Sequence, residues 1–481
     1  MEGLIIALAA VGAVLVFIAV LVIRALMFKP LATDYADMPS VDVDAEKAVS
    51  DLARMIRVKT VSHTDKSLDD EAEFLRFKEL LPELFPIIYE KCEYSEPTER
   101  TILLRLKGES CDSPTVLMAH YDVVAAEEDK WSKPAFEGII EDGVLWGRGT
   151  LDTKGTLNGV MQALEARLKR GFIPKQDIYL AFAGDEEVNG GGANAIVALF
   201  EERGIAPSLV LDEGGAVVEN VFPGVKRPCA VIGIAEKGIM NVELSCESCG
   251  GHSSAPKPHT PIGKLSRACA RVENKPFPSK FCKATLALFD TVARHSTFAY
   301  RLIFSNLFIF KPVLAWLGKR SGGEINALMR TTCAFTQMKG SSGANVIPTS
   351  ASMVANLRII PGDTCESALE YLRWAVRDGD IKITKLIGSD PSAISGFDYD
   401  GYKHVESAVA ATWRDAIVAP YLMVACSDSR YWGRISDRVY RFSAMALSNE
   451  ERATIHGNDE RIPLEAVVKT VEFYDRILEK C

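Results

Sequence analysis

The chain has 481 residues, enough for two or three domains, and its 48% hydrophobic and 25% charged residues are typical of a globular protein. Its net charge is −9 and it lacks a dense cluster of Lys and Arg, which argues against a nucleic-acid-binding surface. The 11 cysteines are scattered from Cys92 to Cys481, which argues against a disulfide framework.

The N-terminal segment predicts a membrane anchor. Gly3 to Ile23 is an unbroken apolar run of roughly 20 residues, long enough to cross a bilayer as a helix. Only Glu2 precedes the run and no A-x-A cleavage site follows it, which favours an uncleaved anchor over a signal peptide. Arg24 and Lys29 follow the run, so the positive-inside rule leans towards a single-pass protein with a cytoplasmic main domain. Two charges leave the opposite sidedness open.

Three apolar segments end in residues that can bind metal. Because helical patterns separate the segments along the chain, they predict parallel strands of an α/β sheet. In such sheets the carboxyl ends of the strands form the ligand crevice. The segments and their polar ends are Val116–Ala119 with His120 and Asp122, Asp177–Ala183 with Asp185, Glu186 and Glu187, and Leu209–Leu211 with Asp212 and Glu213.

A glycine-rich loop supplies a fourth candidate. The loop from Gly143 to Gly149 is followed by Asp152 and then by a helical apolar pattern that begins after Gly155. Asp152 therefore lies just before a helix N-terminus, where a carboxylate is favoured electrostatically. A simple helix cap explains Asp152 equally well when the residue is considered alone.

Together these residues predict a metal site. Imidazole and carboxylate ligands without cysteine suit zinc, and also cobalt or manganese. The carboxylates outnumber what one tetrahedral ion can use, whereas two ions about 3.5–4 Å apart with a shared carboxylate would use them. The candidate for a second imidazole is His456, in a loop after the strand-like segment Val439–Leu447.

At this point the chain resembles the di-zinc metallopeptidase family twenty, which includes aminoacylase, carboxypeptidase S and acetylornithine deacetylase. The resemblance covers nearly everything after residue 45 and is strongest to the membrane-anchored carboxypeptidase S and N-fatty-acyl-amino-acid hydrolase branch. Its motifs are His120-x-Asp122, Gly147-Arg-Gly-x-x-Asp152-x-Lys-Gly155, Asp185-Glu186-Glu187, Asp212-Glu-Gly and His456-Gly.

The resemblance implies a role for each matched residue. His120 and Asp212 would bind one zinc ion, and Glu187 and His456 the other. Asp152 would bridge the two ions. The family holds the peptide bond that follows this residue, here Asp152–Thr153, in the cis form. Glu186 would be the general base for the attacking water, and Asp122 would orient His120.

Residues 236–385 change in pattern and predict a second α+β domain inserted into the first. The resemblance implies a lid of the dimerisation type, with a possible homodimer through it. Its histidine motif matches Gly250-Gly-His252, so His252 would stabilise the oxyanion, often in a partner subunit's site. Asn345 and Arg358 match two further lid motifs, and Arg358 would grip the substrate carboxylate. Cys426 replaces the glycine that is usual in a loop near that carboxylate.

Within the lid, Phe298 to Trp316 is very apolar but is interrupted by Arg301, Asn306 and Pro312. It is too broken to span a membrane as one helix. A buried pair of lid helices is the preferred interpretation, and contact with the bilayer or with a long acyl chain is the alternative.

These observations predict a membrane-anchored di-zinc hydrolase of peptides or N-acyl amino acids that carry a free carboxylate. The alternatives are a deacylase of non-peptide acyl amides and, with least support, a non-catalytic binding protein on the same fold. The predicted segments are 1–28 as anchor, 29–45 as linker, 46–235 and 386–481 as the two parts of a largely parallel, mixed-sheet catalytic domain, and 236–385 as the lid.

Overall fold

The computed structural model describes residues 2–31, 39–219, 221–222 and 224–481, so residues 32–38 of the predicted linker lie outside the described residues. The strands are β1 (Glu93–Ser95), β2 (Thr101–Leu106), β3 (Ser110–His120), β4 (Ile139–Glu141), β5 (Val144–Trp146), β6 (Gln176–Ala183), β7 (Leu209–Val218), β8 (Cys229–Glu236), β9 (Gly238–Glu247), β10 (Gly251–His252), β11 (Thr332–Lys339), β12 (Val346–Ile347), β13 (Ser350–Ile359), β14 (Lys382–Ser389), β15 (Ile417–Met423), β16 (Val439–Leu447) and β17 (Arg461–Pro463).

The helices alternate with these strands for most of the chain. They are α1 (Glu2–Met27), α2 (Ala45–Ile56), α3 (Glu71–Leu84), α4 (Pro86–Lys91), α5 (Lys154–Lys169), α6 (Gly192–Arg203), α7 (Pro261–Asn274), α8 (Lys283–His295), α9 (Phe298–Phe304), α10 (Leu307–Ser321), α11 (Gly323–Ala327), α12 (Cys365–Val376), α13 (Asp400–Thr412), α14 (Asn449–Arg452) and α15 (Leu464–Lys480), with 3₁₀ turns at Lys66–Leu68, Glu128–Lys130 and Asp428–Arg434.

An eight-stranded mixed sheet in the order β1-β2-β6-β3-β7-β16-β8-β15 carries the metal-binding segments. Its centre is parallel, since β3 pairs in parallel with both β6 and β7, and β7 pairs in parallel with β16. The continuous apolar run Val116–Ala119 is fully buried, as expected for a strand covered on both faces. The predicted mixed, largely parallel sheet is therefore confirmed.

Helix α5 lies against this sheet and starts directly after the Asp152 loop. It packs closely on α15, because a Cβ atom at Gly159 would come within 2.4 Å of Thr470 Cγ2. Close packing of α5 on α15 holds the start of α5, and with it Asp152, at the carboxyl end of β3.

A second, four-stranded antiparallel sheet forms the lid, in the order β11-β13-β9-β14. Helices α7 and α12 pack on it and enclose a hydrophobic core separate from that of the large sheet. The alternating burial of β9 and β13 shows that one face of this sheet is covered and the other is open. The boundaries at residues 236 and 385 stay a prediction; the last lid strand runs on to Ser389.

The apolar segment assigned to the lid packs differently from the expectation. Helices α8, α9 and α10 share the core of the large sheet rather than that of the lid, and α8 packs on β15. The prediction of a buried helix pair is wrong, because Phe308 and Trp316 of α10 are 61% and 57% exposed. Amphipathic periodicity predicted helices here, but it could not say which face is covered.

Helix α1 is long and apolar enough to span a membrane, with a mean hydropathy of 3.2 over its most apolar window. Most of its length is exposed, and its last turns contact α9, the turn after α9 and the start of α10. The predicted N-terminal apolar helix is confirmed by these features.

Candidate metal centre

The carboxyl ends of β3, β6 and β7 meet the Asp152 loop and the His456 loop at one edge of the large sheet. Within the described residues, two groups of side chains there have potential ligand atoms within 4.8 Å of one another. One group is His120, Asp152 and Glu213, and the other is Asp152, Glu187 and His456. Asp152 belongs to both groups, as a bridging ligand would.

Distances around Asp152 show how the two groups share it. Asp152 Oδ1 lies 2.9 Å from His120 Nε2, and Asp152 Oδ2 lies 2.9 Å from His456 Nε2. His456 Nε2 also lies 3.0 Å from Glu187 Oε2, and His120 Nε2 lies 3.6 Å from Glu213 Oε1. The Asp152–Thr153 peptide bond is cis, in agreement with the resemblance.

The donor set fits a pair of divalent ions. Two imidazole nitrogens and three carboxylates converge without a cysteine, which is the chemistry of hydrolytic zinc, cobalt or manganese sites. The second carboxylate oxygen of Glu187, Oε1, is buried and has no hydrogen-bond partner. A buried carboxylate oxygen without a partner is costly, and a cation beside it would remove that cost.

Asp212, expected to be a ligand, lies outside both groups. Its Oδ2 accepts a hydrogen bond from the backbone N–H of Ser429 at 2.9 Å. Successive residues of a strand point to opposite sides, and in β7 it is the next residue, Glu213, whose carboxylate faces His120. Within the described residues, Glu213 rather than Asp212 therefore stands opposite His120, and the ligand role of Asp212 stays a prediction.

Asp122 is completely buried and holds two parts of the site together. Its Oδ1 lies 3.4 Å from His120 Nδ1, and it accepts hydrogen bonds from the backbone N–H groups of Glu186 at 3.2 Å and Glu187 at 3.1 Å. Ser62 also donates its hydroxyl to Asp122. Asp122 is therefore placed both to orient His120 and to hold the turn that carries the two glutamates.

Glu186 stands beside the two groups without belonging to either. Burial raises the pKa of Glu186 well above its ordinary value, and the negative charges of Asp428, Glu187 and Asp122 add to the effect against the opposing influence of His120. A carboxyl group with a raised pKa can both accept and release a proton near neutral pH.

The neighbouring carboxylates raise the pKa of both imidazoles. Hydrogen bonds to Asp152 and Glu187 raise the pKa of His456 to about 10. Burial would lower the pKa of His120, but Glu213, Asp122 and Asp152 outweigh it and hold that pKa well above the ordinary value. Both pKa shifts favour protonated imidazoles in the metal-free protein, and cation binding would release those protons.

Glu460 is a positioning residue to which the sequence assigned no role. It is completely buried and pairs with Arg148 at 2.6 Å, while its Oε1 accepts hydrogen bonds from the backbone N–H groups of Leu151 at 2.8 Å and Asp152 at 3.3 Å. Arg148 also donates to the carbonyl oxygen of Gly457 at 2.7 Å. The ion pair therefore fastens the Asp152 loop to the His456 loop. An acidic residue four positions after His456 was its only signal in the sequence.

The lid residues lie in two separate places. The His252 side chain is exposed and forms a hydrogen bond with Ser254 Oγ at 2.8 Å. His252 lies on β10, which pairs with β12, and β12 begins at the residue after Asn345. Arg358 lies on β13 and donates to Cys426 Sγ at 3.4 Å, which places it at the loop after β15. Arg358 thus reaches the catalytic domain, whereas the side-chain hydrogen bonds of His252 to described residues stay within its own loop.

The fold and the site define a metal-dependent hydrolase with adjoining sites for two ions. The family model for peptidase family M20/M25/M40 matches residues 116–480, and the chain belongs to that family. It is 34% identical over 457 residues to probable carboxypeptidase S-like 2 of Dictyostelium discoideum, covering 93% of this chain and 88% of the relative. It is 33% identical over 431 residues to the human N-fatty-acyl-amino acid synthase/hydrolase PM20D1, covering 88% and 86%.

Solved structures support the same fold. An M20 family metallo-carboxypeptidase from Sulfolobus solfataricus superposes with a TM-score of 0.66 at 17% identity, covering 90% of this chain and 98% of that one. A dinuclear metal-binding peptidase of the M20 family from Bacillus subtilis gives a TM-score of 0.54 at 11% identity, covering 90% and 98%. The solved structures confirm the fold, and the family model and the curated relatives confirm the family recognised from the motifs.

Proposed function

We propose that this protein uses two zinc ions to hydrolyse the amide bond of N-acyl amino acids or short peptides that end in a free carboxylate. The observation that carries the proposal is the position of Asp152, whose two oxygens lie 2.9 Å from His120 and His456. His120 and Glu213 would hold one ion, Glu187 and His456 the other, and Asp152 both.

The ions, when bound, would polarise the amide carbonyl and lower the pKa of water. Glu186 takes a proton from the attacking water and later delivers it to the leaving amide nitrogen. Its raised pKa, caused first by burial, suits both steps. Asp122 keeps Glu186 in place through the backbone N–H.

Two features support the substrate class. Arg358 offers a guanidinium beside the Cys426 loop for the substrate carboxylate. A cavity of about 1030 Å³ is lined in part by Gly214 and Ile455, the chain neighbours of Glu213 and His456. Much of its remaining lining is apolar, from Val221, Ile325, Ala327, Met423, Val424 and Ala425. An apolar wall next to the reacting centre suits an acyl chain.

The test is a panel of N-acetyl, N-long-acyl and dipeptide substrates, assayed with the purified protein, with chelator, and after readdition of zinc, cobalt or manganese. We expect chelation to abolish turnover. We also expect the active protein to contain two metal ions per chain and to prefer the long-acyl amino acids. Preference for dipeptides would assign a carboxypeptidase, and turnover of amides without a carboxylate would assign the deacylase alternative. Full turnover without metal would contradict the proposal.

The apolar cavity provides a sharper test. We expect Ile325→Glu to lower kcat/KM for long-acyl substrates about tenfold or more, because a charge would have to be desolvated against the chain. Hydrolysis of N-acetyl substrates should change little. Ile173→Glu is the matched control, since Ile173 is 71% exposed and does not line the cavity. Equal losses on both substrates would contradict an acyl site here.

We also propose that α1 is retained as a single-pass anchor. Arg24 donates from Nε to Asn306 Oδ1 at 3.1 Å, and Asn306 donates to the carbonyl oxygen of Leu21 at 3.1 Å. Such bonds between α1 and the folded protein favour an anchor over a cleaved signal. Arg24 and Lys29 favour a cytoplasmic catalytic domain, and protease protection in sealed vesicles tests that sidedness.

A further inference from the structure

Helices α9 and α10 form an elbow, a bent pair whose axes meet at 105°. Large apolar side chains on its outer surface face solvent. Two of them, Phe308 and Trp316, are aromatic residues of α10 that are more than half exposed. Phe298 and Leu317 are 46% and 44% exposed. A contiguous exposed apolar patch on a folded protein usually marks an interaction surface.

The exposed side chains of α10 lie on one face of the helix. Phe308, Pro312, Trp316 and Arg320 recur every four residues and are all exposed, with Val313 and Leu317 beside them. The opposite face is packed inward, because Leu314 and Gly318 are buried. Lys319 and Arg320 stand at the end of this face. Aromatic and aliphatic residues on one side with basic residues at its edge are typical of helices that lie in a membrane interface.

The elbow is joined directly to the anchor helix. Besides the bonds through Asn306, Arg24 donates to the carbonyl oxygen of Ser305 at 3.1 Å and its guanidinium lies 5.3 Å from the ring centre of Phe308. Arg294 donates to the carbonyl oxygen of Lys29 at 3.1 Å. Residues 21–24 lie only about 5–9 Å along the axis from the last residue of α1. The corner of the elbow therefore sits at the depth where α1 leaves the apolar part of a bilayer.

We propose that the outer face of α10, defined by Phe308, Pro312, Val313, Trp316 and Leu317, lies in the interfacial layer of the bilayer that α1 crosses. The occupant is phospholipid, because the face is continuous with the helix that spans the membrane and ends in two cations that suit phosphate headgroups. The proposal rests on the retained anchor proposed above.

This docking would bring the substrate cavity close to the membrane. Helix α10 ends at Ser321, and Ser321, Gly322 and Gly323 line the cavity beside the metal centre. The 15 residues of α10 span about 22 Å, so the cavity wall begins within that distance of the lipid. A long-chain acyl substrate dissolved in the bilayer would have a short path to the metal centre.

The test uses the full chain in nanodiscs, with tryptophan emission measured in plain phosphatidylcholine and in its brominated form, which quenches nearby indoles. We expect the brominated lipid to remove emission from one of the six tryptophans, and Trp316→Phe to abolish that quenching. Trp374→Phe is the matched control, since Trp374 is 50% exposed on α12 of the lid, and we expect it to leave the quenching unchanged.

Flotation of the same chain with liposomes separates this proposal from the anchor. A chain that does not float refutes both, whereas a chain that floats but is not quenched through Trp316 refutes only the docking of α10. If a second copy of the chain covered α10 instead, Trp316 would be shielded from the brominated lipid, and that result would also overturn the proposal.

Discussion

The metal-binding edge of the large sheet and the β10–β12 loop of the lid carry parts of one predicted site, but they are held very differently. At the edge, buried carboxylates fix the ligands through several hydrogen bonds each, as Asp122 and Glu460 do. In the lid loop, His252 is exposed and bonds to Ser254 of its own loop. The first region is organised by buried side chains of one folded chain, whereas the side chain of His252 is exposed and bonds only within its own loop among the described residues.

The difference follows from how each region is built. The ends of neighbouring parallel strands must meet at one edge once a common core forms, so β3, β6 and β7 bring their ligands together. The lid has a hydrophobic core separate from that of the large sheet, so the core of the large sheet does not by itself fix the position of the lid loop. We therefore expect substitutions at the edge to affect metal binding or chemistry directly, and substitutions in the lid loop to affect turnover without affecting metal content.

The largest effect should come from Glu186. We expect Glu186→Gln to lower kcat about 10³–10⁴-fold, because the amide cannot carry the proton, while two metal ions stay bound. The measurement is steady-state hydrolysis together with metal analysis of the same sample. Turnover within tenfold of the wild type would contradict the assigned role, and loss of metal would make Glu186 a ligand instead.

The choice between Glu213 and Asp212 is the next test of the edge. We expect Glu213→Gln to weaken binding of one of the two ions more than about 100-fold, because it removes a charged donor opposite His120. That loss exceeds the roughly 10–100-fold that is usual for a residue that only orients the ligands. Asp212→Asn is the matched control and should retain both ions, since Asp212 accepts from the backbone of Ser429. Titration with a zinc buffer measures both variants, and the reverse ranking would restore Asp212 as the ligand.

For the lid loop, we expect His252→Ala to lower kcat about 10²-fold with unchanged metal content, as for the loss of one oxyanion donor. Mixing this variant with Glu186→Gln then asks where His252 acts. If it serves a partner's site, mixed dimers should regain activity at about a quarter of all sites. No recovery would favour closure of the lid within one chain.

A smaller effect is expected for the residue that joins the two ligand loops. Glu460→Gln should weaken metal affinity about 10–100-fold, as is usual when a group that positions ligands is changed. Its amide cannot balance the buried charge of Arg148, which lies 2.6 Å away. Glu465→Gln, on the exposed first turn of α15, is the control and should bind metal normally. Unchanged affinity in Glu460→Gln would make the ion pair purely a stabilising feature.

Much of the edge could be predicted from the sequence because each ligand there follows an apolar strand or precedes a helix, as His120 and Asp152 do. That Glu213 rather than Asp212 faces His120 could not be predicted, since the residue that faces the site depends on the strand's orientation. Glu460 was missed because its role arises from loops about 300 residues apart along the chain. The outward face of α10 was only the alternative interpretation, because periodicity predicts a helix but not the surface that covers it.

The smallest expected effect is on the free energy of unfolding, and it concerns Lys154, which follows the Asp152 loop at the start of α5. Lys154 is completely buried and donates to the carbonyl oxygens of Val58 at 2.7 Å and Met55 at 3.2 Å. Burial lowers the pKa of Lys154 from 10.5 to about 7, against the attraction of Asp122 and other carboxylates. Between those pH values the unfolded chain binds the extra proton, so the contribution of Lys154 to the free energy of unfolding rises with pH. That contribution is complete above about pH 10.5 and is lost as the pH falls through 7.

We therefore expect the free energy of unfolding to rise less steeply between pH 7 and 10 in Lys154→Met than in the wild type. Denaturant titration of the full chain in nanodiscs at several pH values measures the two slopes. Lys130→Met, on an exposed 3₁₀ turn, should keep the wild-type slope. Parallel curves for Lys154→Met and the wild type would mean that Lys154 stays charged in the folded state. The rigid edge of the sheet would then contain a stable buried cation beneath its ligand loop, rather than a neutral amine.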